Sequence, residues 1–382
     1  MPLDSSVASR YLTLDDVEVS GKRLLVRSDL NVPLEGTEVA DDFRIRAALP
    51  TLERLVGDGA DVTVCSHLGR PKGEDPALSM RTVAEAMDAI TDLDVGFESG
   101  GEITVLENTR FDEGETSNDK DTAKRLADGF DLFVQDAFGS VHRAHASTVG
   151  VAELIQSVAG PLLDRELTSL GRFLTDTEHP YTVVLGGAKV SDKLAVIENL
   201  LPRVDRMLIG GGMCFTFLAA LGHNVGESLV EEAMLDKVAE LAEDDRIALP
   251  TDVVIADSFR KNADHAITVV SEIPDGWMGL DIGTDTAIDF ANLVEDSASV
   301  FWNGPMGVFE WEAFRNGTEL VARALADCDG FTAVGGGDSV AALRALGLED
   351  SVSHLSTGGG AGLELLEGKI LPGVAVLERW AE

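Results

Sequence analysis

The 382-residue chain has few cysteines, lysines and aromatics, and no long apolar run. Its three cysteines, Cys65, Cys214 and Cys328, stand apart with no CxxC pair. An odd, scattered count argues against a disulfide framework or a zinc site. The opening MPLDSSVASRYL lacks the charged and apolar regions of a leader peptide, and no segment reaches membrane-spanning length. A cytoplasmic chain is therefore expected. No GxxxxGK[ST] is present, which excludes a P-loop NTPase, and the absence of GxGxxG counts against a dinucleotide dehydrogenase. Basic residues are also scarce, 30 Lys and Arg against 67 Asp and Glu, for a formal charge of −37. So acidic a surface repels nucleic-acid phosphates and anionic membranes, and neither is an expected partner. Aromatics make up only 5%, so Val, Leu, Ile and Ala must fill the cores.

What is present alternates. Short aliphatic runs bounded by turn residues read as buried strands, and segments of helical period separate them. The helical segments include 42–56, 191–201, 229–244 and 312–327. Strands alternating with helices mean crossover connections and parallel sheets. The length suits two cores rather than one. No repeat and no low-complexity linker marks the join. The expected architecture is α/β, with two doubly wound, Rossmann-like parallel-sheet domains joined by a helical hinge. The boundaries are a first domain over 1–160, a hinge helix over 161–174 and a second domain over 175–363.

The strand ends differ between the halves. In the first half LLVRSDLN, VTVCSHLGR, ITVLENTRF and LFVQDAFGSVHRAH carry cations and small polar groups. Arg27, Arg44, Arg70, Arg110 and Arg143, with His67 and His142, stand at or near those ends. A lone Arg at a strand end is usually an ordinary surface residue, but recurrence in so acidic a chain is not. Arginine binds phosphate and carboxylate through a planar fork of donors. Asp29 and Asn31 add groups able to meet a hydroxyl. The implied ligand is small and carries a phosphate, a carboxylate and a hydroxyl.

In the second half TVVLGGAKV, MLIGGGM, VFWNGPMG, TAVGGGDS and HLSTGGGAG end strands with glycine. Glycine lets backbone N–H groups approach phosphate oxygens, and a following helix N-terminus favours the negative charge. Ser191 reads as an N-cap, which puts Lys193 in the first turn of the next helix, with Lys189 just before it. Asp338 opens the helix after TAVGGG, as a cap or as an oxygen ligand for Mg²⁺. Glu310 is suited to ribose hydroxyls. Trp302 reads as core.

Together these motifs resemble one family, the phosphoglycerate kinases, over nearly the whole chain and in the family's order. RSDLNVPL (27–34), SHLGRP (66–71), LENTRF (106–111) and DAFGSVHRAHAS (136–147) resemble its basic patch. LGGAKVSDK (185–193), IGGGM (209–213), WNGPMGVFE (302–310), GGGDS (335–339) and STGGGA (356–361) resemble its nucleotide domain. LELLEGKILPGV (363–374) is similar to the closing segment, and the resemblance implies that 364–382 return to the first domain. Ser28, Leu30, Thr109, Ser339 and Gly362 depart from the commoner residues of the pattern. The short chain and acidic surface resemble the archaeal, salt-adapted branch.

The resemblance implies exchange of a phosphoryl group between 1,3-bisphosphoglycerate and MgADP, giving 3-phosphoglycerate and MgATP. It implies that Asp29, Leu30, Asn31, His67, Leu68, Gly69, Arg70, Arg110 and Arg143 bind the glycerate ligand. Arg44 would lie beside the carboxyl that carries the mobile phosphate. Lys189 and Lys193 would meet the transferring group, Gly336, Gly337, Asp338 and Ser339 the phosphate chain with Mg²⁺, and Glu310 the ribose. Arg44, Lys189 and Lys193 would be catalytic. An amino-acid kinase or a nucleotide-binding scaffold without chemistry are the rival readings. The first would need an acidic amine site in place of the arginines, and the second the loss of Lys193, Asp338 or the arginines. No apolar stripe advertises an interface, so a monomer is expected.

The charge yields a first prediction. Carboxylate repulsion is screened by salt, so the melting temperature should be higher in multimolar KCl than in dilute buffer. Equal values by calorimetry would count against a salt-adapted surface.

Overall fold

A computed structural model describes residues 11–381, so the leader-peptide reading of the first ten residues lies outside the described residues. Among the described residues no helix is long and apolar enough to cross a membrane. The chain divides into two compact units, with boundaries between Gly171 and Arg172 and between Gly368 and Lys369.

The first unit runs β1 (Arg23–Arg27), the hairpin strands β2 (Leu34–Glu35) and β3 (Glu38–Val39), α1 (Phe43–Gly57), β4 (Asp61–Cys65), α2 (Arg81–Asp88), β5 (Val95–Phe97), β6 (Ile103–Val105), α3 (Lys120–Ala127), β7 (Leu132–Gln135), β8 (Ser157–Ala159) and most of α4 (Pro161–Thr175). Its six-stranded sheet has the order β5-β6-β4-β1-β7-β8, with every pair parallel. Leu24, Leu25 and Val26 of β1 are wholly buried. Helices on both faces explain why such strands read as unbroken aliphatic runs. The last residues belong to this unit too. Trp380 Nε1 donates to Ala152 O at 2.8 Å and Gly373 N to Val141 O at 2.8 Å.

The second unit runs β9 (Tyr181–Leu185), α5 (Leu194–Leu200), β10 (Arg206–Ile209), α6 (Cys214–Ala220), α7 (Leu235–Ala242), β11 (Ile247–Ala248), β12 (Asp252–Ala256), β13 (His265–Val269), β14 (Met278–Ile282), α8 (Thr284–Glu295), β15 (Ser299–Asn303), α9 (Asn316–Asp327), β16 (Phe331–Gly335), α10 (Gly337–Leu346), β17 (His354–Leu355) and α11 (Gly360–Leu366). Its parallel sheet has the order β11-β10-β9-β15-β16-β17. The strand order reverses between β9 and β15, where ligands of open α/β sheets bind. A separate antiparallel sheet, β13-β12-β14, was not expected from the sequence.

The expected helices form with shifted ends. Segment 312–327 is a 3₁₀ turn, Glu312–Phe314, followed by α9, and 229–244 is a 3₁₀ turn, Glu232–Met234, followed by α7. Ser191 is not an N-cap. Its hydroxyl and amide donate to the Glu231 carboxylate at 2.6 and 3.0 Å, which ties the residue to Glu231, and α5 begins only at Leu194. Buried carboxylates hold other helix starts: Asp136 accepts from Leu162 N and Leu163 N of α4, and Asp252 from Thr286 N of α8.

Asp281 of β14 is buried and accepts from Ile282 N and Gly317 N, both at 2.9 Å, which ties β14 to the first turn of α9. Burial raises its carboxyl from 3.8 to about 8. A folded value above the unfolded one means a contribution fully present below the unfolded value and lost as pH rises through the folded one. Asp281→Asn should therefore flatten the decline in stability between pH ~4 and ~8 that this group causes. Urea midpoints across that range test it, and an unchanged pH profile would refute it.

Candidate functional site

In the first unit, the ends of β1, β4, β6 and β7 carry the expected residues. Arg44 sits in the first turn of α1, where the helix dipole disfavours a cation. Asp29, after β1, offsets this: Arg44 Nη1 lies 2.8 Å from its Oδ1. Arg44 also donates to Asn31 O at 3.3 Å, while Asn31 Oδ1 accepts from Gly69 N at 2.8 Å. These contacts fasten the turn after β1 to the turn after β4. Gly69 has φ +64° and O accepting from Arg110 Nη1 at 2.5 Å. Leu30 and Leu68 are 0% and 1% exposed and belong to the core, so only their backbones can serve a ligand.

Arg70, Arg110 and Arg143 line one cavity of about 590 Å³, with Lys72 and His145. Arg110 shows the electrostatics of this convergence. Burial, then Arg143 and Arg27, depress its guanidinium below the ordinary value, with Glu115 opposing. Its Nε is buried with no hydrogen-bond partner among the described residues. Clustered cations with an unspent donor make a site poised for a multiply charged anion. His67 is buried, with Nδ1 3.0 Å from Arg27 Nη2. Arg143 Nε donates to His142 Nε2 at 3.0 Å.

In the second unit the glycine-bearing turns crowd together at the switch point. Gly186 N donates to Asn303 O at 3.0 Å and Gly187 N to Pro305 O at 2.9 Å. Gly304 has φ +96°, and a Cβ there would lie 2.3 Å from Gly186 O. That glycine is required by loop packing. Gly337, at the start of α10, differs: a Cβ there would meet nothing within 4 Å, so its backbone is open. Gly336 precedes it with φ +90°. Asp338 is exposed in the first turn of α10, whose N-cap is Gly336. Ser339 is wholly buried, and its Oγ accepts from Gly304 N at 2.6 Å, so its hydroxyl braces the neighbouring loop.

Lys193 is 8% exposed and donates from Nζ to Asn303 O at 2.9 Å and to Asn303 Oδ1. Burial lowers its ammonium from 10.5 to about 8, opposed by Asp192 and Asp338. Lys189 and Glu310 are exposed. Trp302 is core, as expected, with Nε1 donating to Gly304 O at 2.8 Å. Sequence reasoning missed Asn303, whose carbonyl and amide oxygen anchor Lys193. It also missed Glu115, a wholly buried carboxylate beneath the arginines.

A family model described as phosphoglycerate kinase matches residues 14–369. The chain belongs to the phosphoglycerate kinase family. It is 52% identical to the phosphoglycerate kinase of Salinispora tropica, over 96% of this chain and 99% of that protein. Identity to that of Rubrobacter xylanophilus is 53%, over 95% and 97%. Among solved structures, the phosphoglycerate kinase of Coxiella burnetii superposes with TM-score 0.88 at 38% identity, covering 97% of this chain and 100% of that one. The enzyme from Pyrococcus horikoshii OT3 gives 0.83 at 30%, covering 97% and 99%. The archaeal leaning has no support here, since these two relatives, at 52% and 53% identity, are bacterial. Membership makes the chain an enzyme of glycolysis. It transfers a phosphoryl group reversibly, in-line and without a covalent intermediate, between 1,3-bisphosphoglycerate and ADP to give 3-phosphoglycerate and ATP.

Proposed function

We propose that the first unit binds the glycerate ligand and the second the nucleotide, with these residue roles. His67, Arg70, Arg110 and Arg143 hold the phosphate that is not transferred. Asp29 and Asn31, with the backbones of Leu30, Leu68 and Gly69, orient the hydroxyl and neighbouring oxygens. Arg44 faces the reacting carboxyl. Lys189 and Lys193 neutralise charge on the phosphoryl group in transit. Gly336, Gly337 and Ser339 shape the cradle for the phosphate chain, and Glu310 meets the ribose. The observation that carries this reading is the convergence of Arg70, Arg110 and Arg143 on one cavity, in a chain of formal charge −37.

Among the described residues no group of three or more His, Cys, Asp or Glu is arranged to hold a metal ion. A lone carboxylate still fits Mg²⁺, which is commonly held by one or two carboxylates plus substrate phosphates. Asp338, beside the open start of α10, would hold it, and the bound ion supplies positive charge to the phosphate oxygens. When 3-phosphoglycerate attacks, its carboxylate is already ionised at neutral pH, so no general base is required. The chain's own contribution is to position the reactants and to neutralise charge on the equatorial oxygens. Direct transfer needs groups from both units around one phosphoryl, so we propose that both ligands together drive a closing motion that excludes water. The reading further takes the enzyme as a cytoplasmic monomer with a salt-adapted surface.

Arg44→Ala and Lys189→Ala are each expected to lower kcat by roughly 10²-fold or more with an unchanged circular dichroism spectrum. Arg70→Ala should chiefly raise KM for 3-phosphoglycerate. Near-normal turnover in the first two would remove them from catalysis. For the closing motion, small-angle scattering should show a smaller radius of gyration only with both ligands present, and an identical profile with and without them would reject it.

A further inference from the structure

Arg27 is the one arginine of the patch that the substrate roles leave unused. It ends β1 at 1% exposure, and its donors are spent on protein. Nε donates to Ser147 Oγ at 2.9 Å, Nη1 to Ser28 O at 2.5 Å and Ser66 Oγ at 3.3 Å, and Nη2 meets His67 Nδ1 at 3.0 Å. A buried cation needs compensation, yet among the described residues no carboxylate pairs with it directly. Compensation comes through a hydroxyl. Ser147 Oγ donates to Glu115 Oε1 at 2.6 Å, and Ser147 N donates to Oε2 at 2.9 Å. Glu115 is wholly buried. Ser147 lies in a π-helical turn, Ala146–Gly150, a local geometry frequent at functional positions.

The far end of this chain fixes a histidine. A guanidinium has donors and no acceptor. Nδ1 of His67 must therefore accept from Arg27, which leaves the ring neutral with its proton on Nε2. The surroundings agree. Arg27 from β1, Arg44 from α1, Arg110 from the turn after β6 and His145 from the turn after β7 all face the ring. With burial as the largest cause, they hold it well below its ordinary value. His145 is itself pushed down by burial, with Glu115 at 3.7 Å pulling the other way.

We propose that Glu115, Ser147 and Arg27 form a positioning relay that holds His67 as the neutral Nε2–H tautomer, so that the imidazole meets the substrate as a directional hydrogen-bond donor and not as a further positive charge. The inference rests on the reading that this pocket holds 3-phosphoglycerate. It divides the labour: the arginines that line the cavity supply the charge, and the relay supplies one oriented donor that does not titrate as the cell's pH moves.

The test uses Arg27→Lys, which keeps the charge but loses the fork, and Ser147→Ala, which removes one oxygen. Each is expected to raise KM for 3-phosphoglycerate about tenfold, the scale of one charge-assisted hydrogen bond, with kcat and KM for ATP within about twofold. ¹⁵N spectra should show the His67 ring as a single Nε2–H tautomer in the natural enzyme and as a mixture in both variants. His67→Gln supplies an N–H donor that needs no tautomer, so adding Arg27→Lys to it should raise KM no further. An unchanged ring spectrum in both variants, or an equal KM increase in the His67→Gln background, overturns the relay. Should Arg27→Lys fail to fold, Ser147→Ala carries the spectral readout alone. An unchanged KM in Arg70→Ala would instead overturn the assignment of the pocket, so the two failures are distinguishable.

Discussion

Gathering cations at one sheet edge is the constraint around which the first unit is built. Burial first and neighbouring arginines next make each cation there less favourable, and both depress the Arg110 guanidinium. The unit relieves this without spending the charges it presents. It neutralises Arg27 from below through Ser147 and Glu115. It pairs Arg44 with Asp29, a residue also suited to meet a hydroxyl. It keeps His67 and His145 uncharged by burying them. What faces the cavity is then a small set of arginines whose repulsion is tolerable until an anion cancels it.

The second unit faces a different constraint, close packing of the turns at its switch point. Its turns after β9 and β15 touch so closely that Gly186 and Gly304 leave no room for a Cβ at either position. Part of the glycine content is thus a packing requirement, whereas a Cβ at Gly337 or Gly359 would meet nothing within 4 Å. Asn303 and Ser339 lock this arrangement, the first to Lys193 and the second to Gly304. Lys193 is consequently a constrained ammonium, its position set by Asn303.

The parallel sheets were legible because strands buried on both faces, such as LLVR and TVVL, are continuous aliphatic runs that few other structures produce. The antiparallel sheet was not, because β13 (HAITV) is exposed along most of its length and shows no alternation. The arginines were legible from their recurrence after strands. Glu115 was not: it lies in the loop segment DEGETSN and looks like one more solvated carboxylate, and only the fold carries it beneath Ser147. Ser191 misled because local capping preference is weak beside a well-placed carboxylate such as Glu231, which is distant in sequence.

The route of the chain has a consequence for biosynthesis. The second unit is one uninterrupted stretch from Arg172 to Gly368, whereas the first is assembled from the stretches that flank it on both sides. On the ribosome the second unit can finish while the first, translated earlier, still waits for the segment carrying Gly373 and Trp380 to emerge. Until then the backbone carbonyls of Val141 and Ala152 lack these partners, and the half synthesised first is the half completed last.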